Sequence, residues 1–171
     1  MNEMNETKPQ SSAIRKLTFS AMVIAFYVVT MGLTQSFSFG AYQIRIATAI
    51  YALAYLFPFL IVPLGVANLL SNLFFGGLGF FDMFGGGLVG IATASVVYLL
   101  KKYHCSPMWI VLPITFIPGL GVATWLSYLL QIPYPAMATS LCIGQIVPGI
   151  VGAAFVMVLE KRMSHEVAYE R

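Results

Sequence analysis

Charge is what this sequence has least of. Only 9% of its 171 residues are Asp, Glu, Lys or Arg, against roughly 25% in an ordinary soluble domain. Between Leu17 and Leu159 four residues are formally charged: Arg45, Asp82, Lys101 and Lys102. A water-soluble globule of this size needs a polar surface, and these residues cannot supply one. The other charges crowd into the two ends, which excludes a soluble enzyme, a nucleic-acid-binding domain and a disordered tail. Cysteine is scarce as well. Cys105 and Cys142 stand far apart in no CxxC spacing, so neither a disulfide framework nor a zinc site is indicated. The chain has no G-x-x-x-x-G-K-[ST] and so cannot hydrolyse ATP through a P-loop. It also lacks G-x-S-x-G, H-E-x-x-H and spaced carboxylate pairs. No catalytic set and no cofactor is indicated.

What the sequence has in place of charge is apolar length. It is 59% hydrophobic, with a mean hydropathy of +0.85, the composition of an integral membrane protein. A helix crossing the hydrocarbon core needs about 20 mostly apolar residues. Six runs meet or approach that length: Ile14–Thr34, Ile46–Val62, Leu64–Phe75, Met83–Leu100, Met108–Leu130 and Ala136–Leu159. The second is broken near Pro58 and Pro63, with its loop expected around Pro63. The first has polar residues before it and no convincing cleavage site after it, so it reads as a retained helix. Residues 1–13 and 163–171 then form polar tails around a membrane domain at 14–162. The expected fold is an all-α bundle of six transmembrane helices.

Arg15 and Lys16 precede the first run, Lys101, Lys102 and His104 separate the fourth and fifth, and Lys161 and Arg162 follow the sixth. Six spans put these sites on one side, which the positive-inside rule makes cytoplasmic, with both termini. His165 falls on that side too. Five spans would place Lys161 and Arg162 outside. The stretches Gln35–Arg45, Gly76–Asp82 and Gln131–Pro135 then share the outer face.

Arg45 and Asp82 are the charges away from the cytoplasmic ends. Charges at the bilayer centre cost roughly 2.5–3.5 kcal/mol each on insertion scales and usually pair or line a cavity. They read either as interfacial charges or a salt bridge, or as parts of one polar vestibule. Asn68 and Asn72 are spaced i,i+4 on one face of the third run, beside Ser71. They and Gln145 and Thr48 either hydrogen-bond between helices or touch a ligand. Phe37, Phe39, Tyr42, Phe80, Phe81 and Tyr134 gather in the outer loops as interfacial anchors or as stacking surfaces for a flat ligand. Glycines at Gly76, Gly77, Gly79, Gly85, Gly86 and Gly87 allow tight turns and close helix approach. On the first run, Ala21 and Ala25 (with Ser20 and Gly32) make a small-residue face. It packs inside the bundle or docks another membrane subunit.

The segment Gly40-Ala41-Tyr42-Gln43-Ile44-Arg45-Ile46-Ala47-Thr48-Ala49 resembles the G-x-x-Q-x-R-I-S-E-A stretch of the queuosine-precursor transporter family. Ala67-Asn68-Leu69-Leu70-Ser71 and Gly77-Leu78-Gly79-Phe80-Phe81-Asp82 resemble that family's A-N-L-x-S and G-x-G-x-x-D. The resemblance runs from about residue 14 to 162. It implies a substrate-capture (S) component of an energy-coupling-factor importer, a six-helix bundle working with a membrane T subunit and two ATPase subunits. The ligand implied is a 7-deazaguanine taken from outside, with Asp82 accepting its ring N–H and exocyclic amine. Asn68, Asn72, Gln43 and Arg45 would serve the other ring groups or hold the loops, with Gln145, Thr48 and Phe81 beside them. Ala21 and Ala25 would dock the T subunit. Two departures bear on the ligand: Thr48 and Gln145 stand where the family pattern has glutamate, which points to a neutral substrate. The alternatives are an S component for another vitamin or nucleobase, a membrane scaffold without a ligand, and a stand-alone secondary transporter.

Overall fold

The structure, a computed structural model, describes residues 7–38, 43–76 and 78–169, with side chains except at 7–11, 37 and 164–169. Phe39, Tyr42 and Gly77, the Gly40–Ala41 part of the first motif, and the side chains of Phe37 and His165 lie outside the described set. Its elements are α1 (Thr7–Leu33), α2 (Gln35–Ser38), a 3₁₀ helix (Ile46–Tyr55), α3 (Ile61–Ser71), α4 (Phe80–Lys102), α5 (Val111–Leu130) and α6 (Tyr134–Tyr169). Five stretches are long and apolar enough to cross a membrane: Ser12–Leu33, Pro58–Gly76, Phe80–Lys102, Pro107–Leu130 and Tyr134–Met163. They correspond to the first, third, fourth, fifth and sixth expected runs.

The second run is different from the expectation. It is not one span over Ile46–Val62 but a ten-residue 3₁₀ helix, Ile46–Tyr55, followed by a turn at Leu56 and Phe57. Two prolines competed for the break, and Pro58 takes it. Proline disfavours helical backbone in the residue before it, and Phe57 accordingly sits at φ −127°, ψ 82°. Pro58 opens a short 3₁₀ turn that feeds α3. Pro63 lies in the first turn of α3, where a missing N–H leaves no intrahelical bond unmade, so the loop expected there is absent.

A 3₁₀ helix rises about 2.0 Å per residue, so ten residues reach about 20 Å, against roughly 30 Å of hydrocarbon. Every residue from Ala47 to Tyr55 is buried. Apart from the hydroxyls of Thr48 and its tyrosines the segment is apolar, as a largely enclosed helix is, and it packs against α6, α4 and α1. Its own Tyr51 is wholly buried, as are Tyr27, Leu60, Leu64, Ile110 and Ile114 in the same core.

Close contact between α5 and α6 depends on Gly119. A Cβ there would stand 2.5 Å from Cys142 Sγ and 3.0 Å from its Cα. The Gly119→Ala protein is therefore expected to lose about 1–3 kcal/mol by overpacking, seen as a lower Tm in detergent. An unchanged Tm would mean that α5 and α6 part at no cost.

One end of the bundle carries the basic residues. Lys101 of α4 forms an ion pair with Glu160 of α6, and its Nζ lies 4.9 Å from the Tyr55 ring centroid. Tyr55 Oη donates to Cys105 O at 2.6 Å, and Lys16 Nζ stands 5.9 Å from the Phe59 ring. The described polar side chains anticipated in the sequence gather in the opposite half.

Candidate ligand-binding site

Where α3 gives way to a π turn over Asn72–Gly76, the chain turns two amides toward α4. Such π turns recur at functional sites. Asn68 and Asn72 are 3% and 4% exposed, and Gly86 of α4 makes room for both. A Cβ on Gly86 would lie 2.3 Å from Asn72 Nδ2 and 3.3 Å from Asn68 Oδ1. Asn68 Nδ2 donates to Tyr51 Oη at 2.7 Å and to Gly86 O at 2.8 Å. Tyr51 Oη in turn meets Tyr27 Oη at 3.1 Å. Arg45 Nη1 donates to Asn68 Oδ1 at 3.4 Å, a long bond, so Asn68 is committed on both sides of its amide.

Asp82 begins α4. Gly79 caps the helix at φ +84°, a left-handed conformation that glycine adopts without a Cβ penalty, and Asp82 falls in the first turn. The partial positive charge of a helix N-terminus favours a carboxylate there. Asp82 is 2% exposed. Trp125 Nε1 of α5 donates to Oδ1 at 3.2 Å, and Asn72 Nδ2 donates to the backbone O of Asp82 at 2.8 Å. Among the described residues Asp82 forms no ion pair, which removes the salt-bridge reading for it. Among the described residues its Oδ2 has no hydrogen-bond partner, and neither has Asn72 Oδ1. The two groups flank the same glycine: a Cβ on Gly76 would be 2.9 Å from Asp82 Oδ2 and 3.3 Å from Asn72 Cβ. Buried acceptors left unpaired each cost about 1–3 kcal/mol, so this spot suits N–H donors that none of the described residues supplies to these two oxygens.

The second half of the site is held by the 3₁₀ helix and α6. Thr48 Oγ1 lies 2.7 Å from Arg45 O and 2.7 Å from Gln145 Oε1. Its single proton serves two acceptors. Gln145 Nε2 donates to Gln43 O at 3.5 Å, and Thr115 Oγ1 of α5 to Gln145 O at 3.4 Å. Gln43 holds a positive φ of 41°, uncommon for a residue with a Cβ. Thr48, Gln145, Gln43 and Arg45 are all buried.

Seven of the eight substrate residues anticipated from the sequence thus lie in one buried half of the bundle: Asp82, Asn72, Asn68, Gln43, Arg45, Gln145 and Thr48. Phe81 does not join them. It is 69% exposed and lines a shallow groove with Trp125 and Tyr128. Ala21 and Ala25 stand exposed on α1, while Ser20 is buried and Gly32 abuts Phe75. Three side chains escaped the sequence reading: Trp125, Tyr51 and Tyr27. A tryptophan inside an apolar span was the available signal, since a buried indole N–H seeks an acceptor.

Against known proteins, the family model described as QueT transporter matches residues 17–161. No curated protein and no solved structure matches the chain. A transporter family that spans nearly the whole apolar region agrees with the five membrane-length helices. The chain is a multi-pass membrane protein of the QueT transporter family.

Proposed function

We propose that this protein is the substrate-capture subunit of an ATP-driven energy-coupling-factor importer, and that it binds a queuosine precursor or related 7-deazaguanine from the outer side of the cytoplasmic membrane. The observation that carries this reading is the Asp82 carboxyl, 2% exposed, whose Oδ2, like the neighbouring Asn72 Oδ1, has no partner among the described residues. A guanine-like edge offers a ring N–H next to an exocyclic amine, and a carboxylate accepts such a pair. Asn68, Arg45 and Gln43 hold the walls of the site, and Ala21 and Ala25 offer a small-residue face to the T subunit. ATP hydrolysis belongs to the two ATPase subunits. The basic end of the bundle, with both tails, faces the cytoplasm.

Thr48 and Gln145 sharpen the choice of ligand. They replace two glutamates of the family pattern, and here they hydrogen-bond to each other at 2.7 Å. That corner of the site has no carboxylate for a ligand ammonium. Calorimetric titration of the detergent-purified chain tests the reading. The neutral 7-cyano-7-deazaguanine should bind saturably and about fivefold more tightly than the aminomethyl compound, the worth of about one weak ion pair. Gln145→Glu should narrow that gap. Absence of saturable binding by either compound contradicts the capture role, and equal or tighter binding of the aminomethyl form contradicts the neutral preference.

A further inference from the structure

Between α1 and α6 the surface holds an apolar groove of about 720 Å³. Phe19 and Phe26 of α1 form one wall, Val151 and Phe155 of α6 the other, and Leu53 of the 3₁₀ helix lies on the floor. The floor is set deep: Leu53 is 9% exposed, whereas Phe26 is 65% and Phe155 49%. Along α6 the lining runs from Val151 to Met163, about 18 Å at 1.5 Å per residue. One leaflet of hydrocarbon is about 15 Å deep. The groove therefore has the length of a single acyl chain in one leaflet.

Its basic end carries charge on the same helical stripes. Arg15 precedes Phe19 by four residues and Met22 by seven, and Arg162 follows Leu159 by three and Phe155 by seven, so each arginine continues the face that lines the groove. Both are exposed. Glu160 is turned away from this face, toward Lys101. We propose that the groove holds an acyl chain of an anionic glycerophospholipid whose phosphate sits between Arg15 and Arg162. A partner helix fits less well. Tight helix packing in lipid uses small residues, and those of α1, Ala21 and Ala25, lie on another stripe, while the groove walls are bulky.

The test is native mass spectrometry of the full chain after equilibration with vesicles of equal phosphatidylglycerol and phosphatidylcholine. The wild type should retain phosphatidylglycerol about fivefold or more over phosphatidylcholine, the scale set by a basic residue near an anionic headgroup. The Arg15→Gln/Arg162→Gln protein should lose the preference. Lys102→Gln removes an exposed cation from α4 and should leave it unchanged. Val151→Trp, at a 47% exposed position, should lower retention of both lipids while far-UV circular dichroism stays that of the wild type. Retention in the bulk ratio by the wild type overturns the proposal. So does an equal loss from Lys102→Gln, which would mark a general charge effect. A dimer mass without lipid would overturn it in favour of a second copy in the groove.

Discussion

Replacing Asp82 by asparagine should weaken ligand binding by about 10- to 100-fold, the worth of a hydrogen bond to a charged group, while the fold survives. The substitution keeps shape and keeps an oxygen for Trp125 Nε1, now 3.2 Å from Oδ1. What it removes is the second acceptor, because an amide N–H₂ would point donors at a donor edge. Titration calorimetry reads the loss, and the Tm in detergent separates it from unfolding. An Asp82→Asn protein that binds as tightly as wild type would take Asp82 out of the ligand's reach. A Trp125→Phe protein gives the companion reading. It leaves both carboxyl oxygens without a partner among the described residues, so it should cost stability as well as affinity.

Gly86→Ala should be the most damaging single methyl in the site. The added Cβ would meet Asn72 Nδ2 at 2.3 Å and Asn68 Oδ1 at 3.3 Å, so both amides must shift together. Asn72 would release the Asp82 carbonyl, now 2.8 Å away, and Asn68 would strain its bonds to Tyr51 and to Gly86 O. Each buried polar group left unmatched costs about 1–3 kcal/mol. Binding should fall by about 10-fold or more, with a clear drop in Tm. Gly121→Ala is the useful control. Its Cβ would meet only Val89 Cγ2 at 3.1 Å, and ligand affinity should hold. Equal losses in the two variants would mean that helix spacing, and not the amide pair, governs the site.

Much of this buried polar cluster was visible in the sequence because the chain is so poor in charge. In a span where every polar group is costly, Asp82, Arg45, Asn68 and Asn72 identify themselves, and the i,i+4 spacing of the asparagines correctly put them on one buried face. The long spans were equally legible, since hydrophobic length is a direct requirement of the bilayer. The 3₁₀ helix was not. Its residues Ile46–Tyr55 are apolar or aromatic apart from Thr48, so no polar periodicity distinguishes 3₁₀ from α, and two prolines offered two breaks. Contacts across the fold were hidden for another reason. Trp125 reaches Asp82 across 43 residues and Gln145 reaches Thr48 across 97. A sequence pattern gives the face a residue occupies, not the side chain opposite it. The exposure of Phe81, 69%, belongs to the same class: an aromatic at the start of α4 can face either way.

Identifying the molecule that the protein carries is the most direct measurement. The chain would be produced in cells supplied with 7-cyano-7-deazaguanine, purified in detergent, denatured, and its released small molecules weighed by mass spectrometry. A 7-deazaguanine close to one per chain from the wild type, and none from Asp82→Asn, is the expected result. An empty wild-type protein, a different vitamin in the site, or equal amounts from both proteins would contradict it.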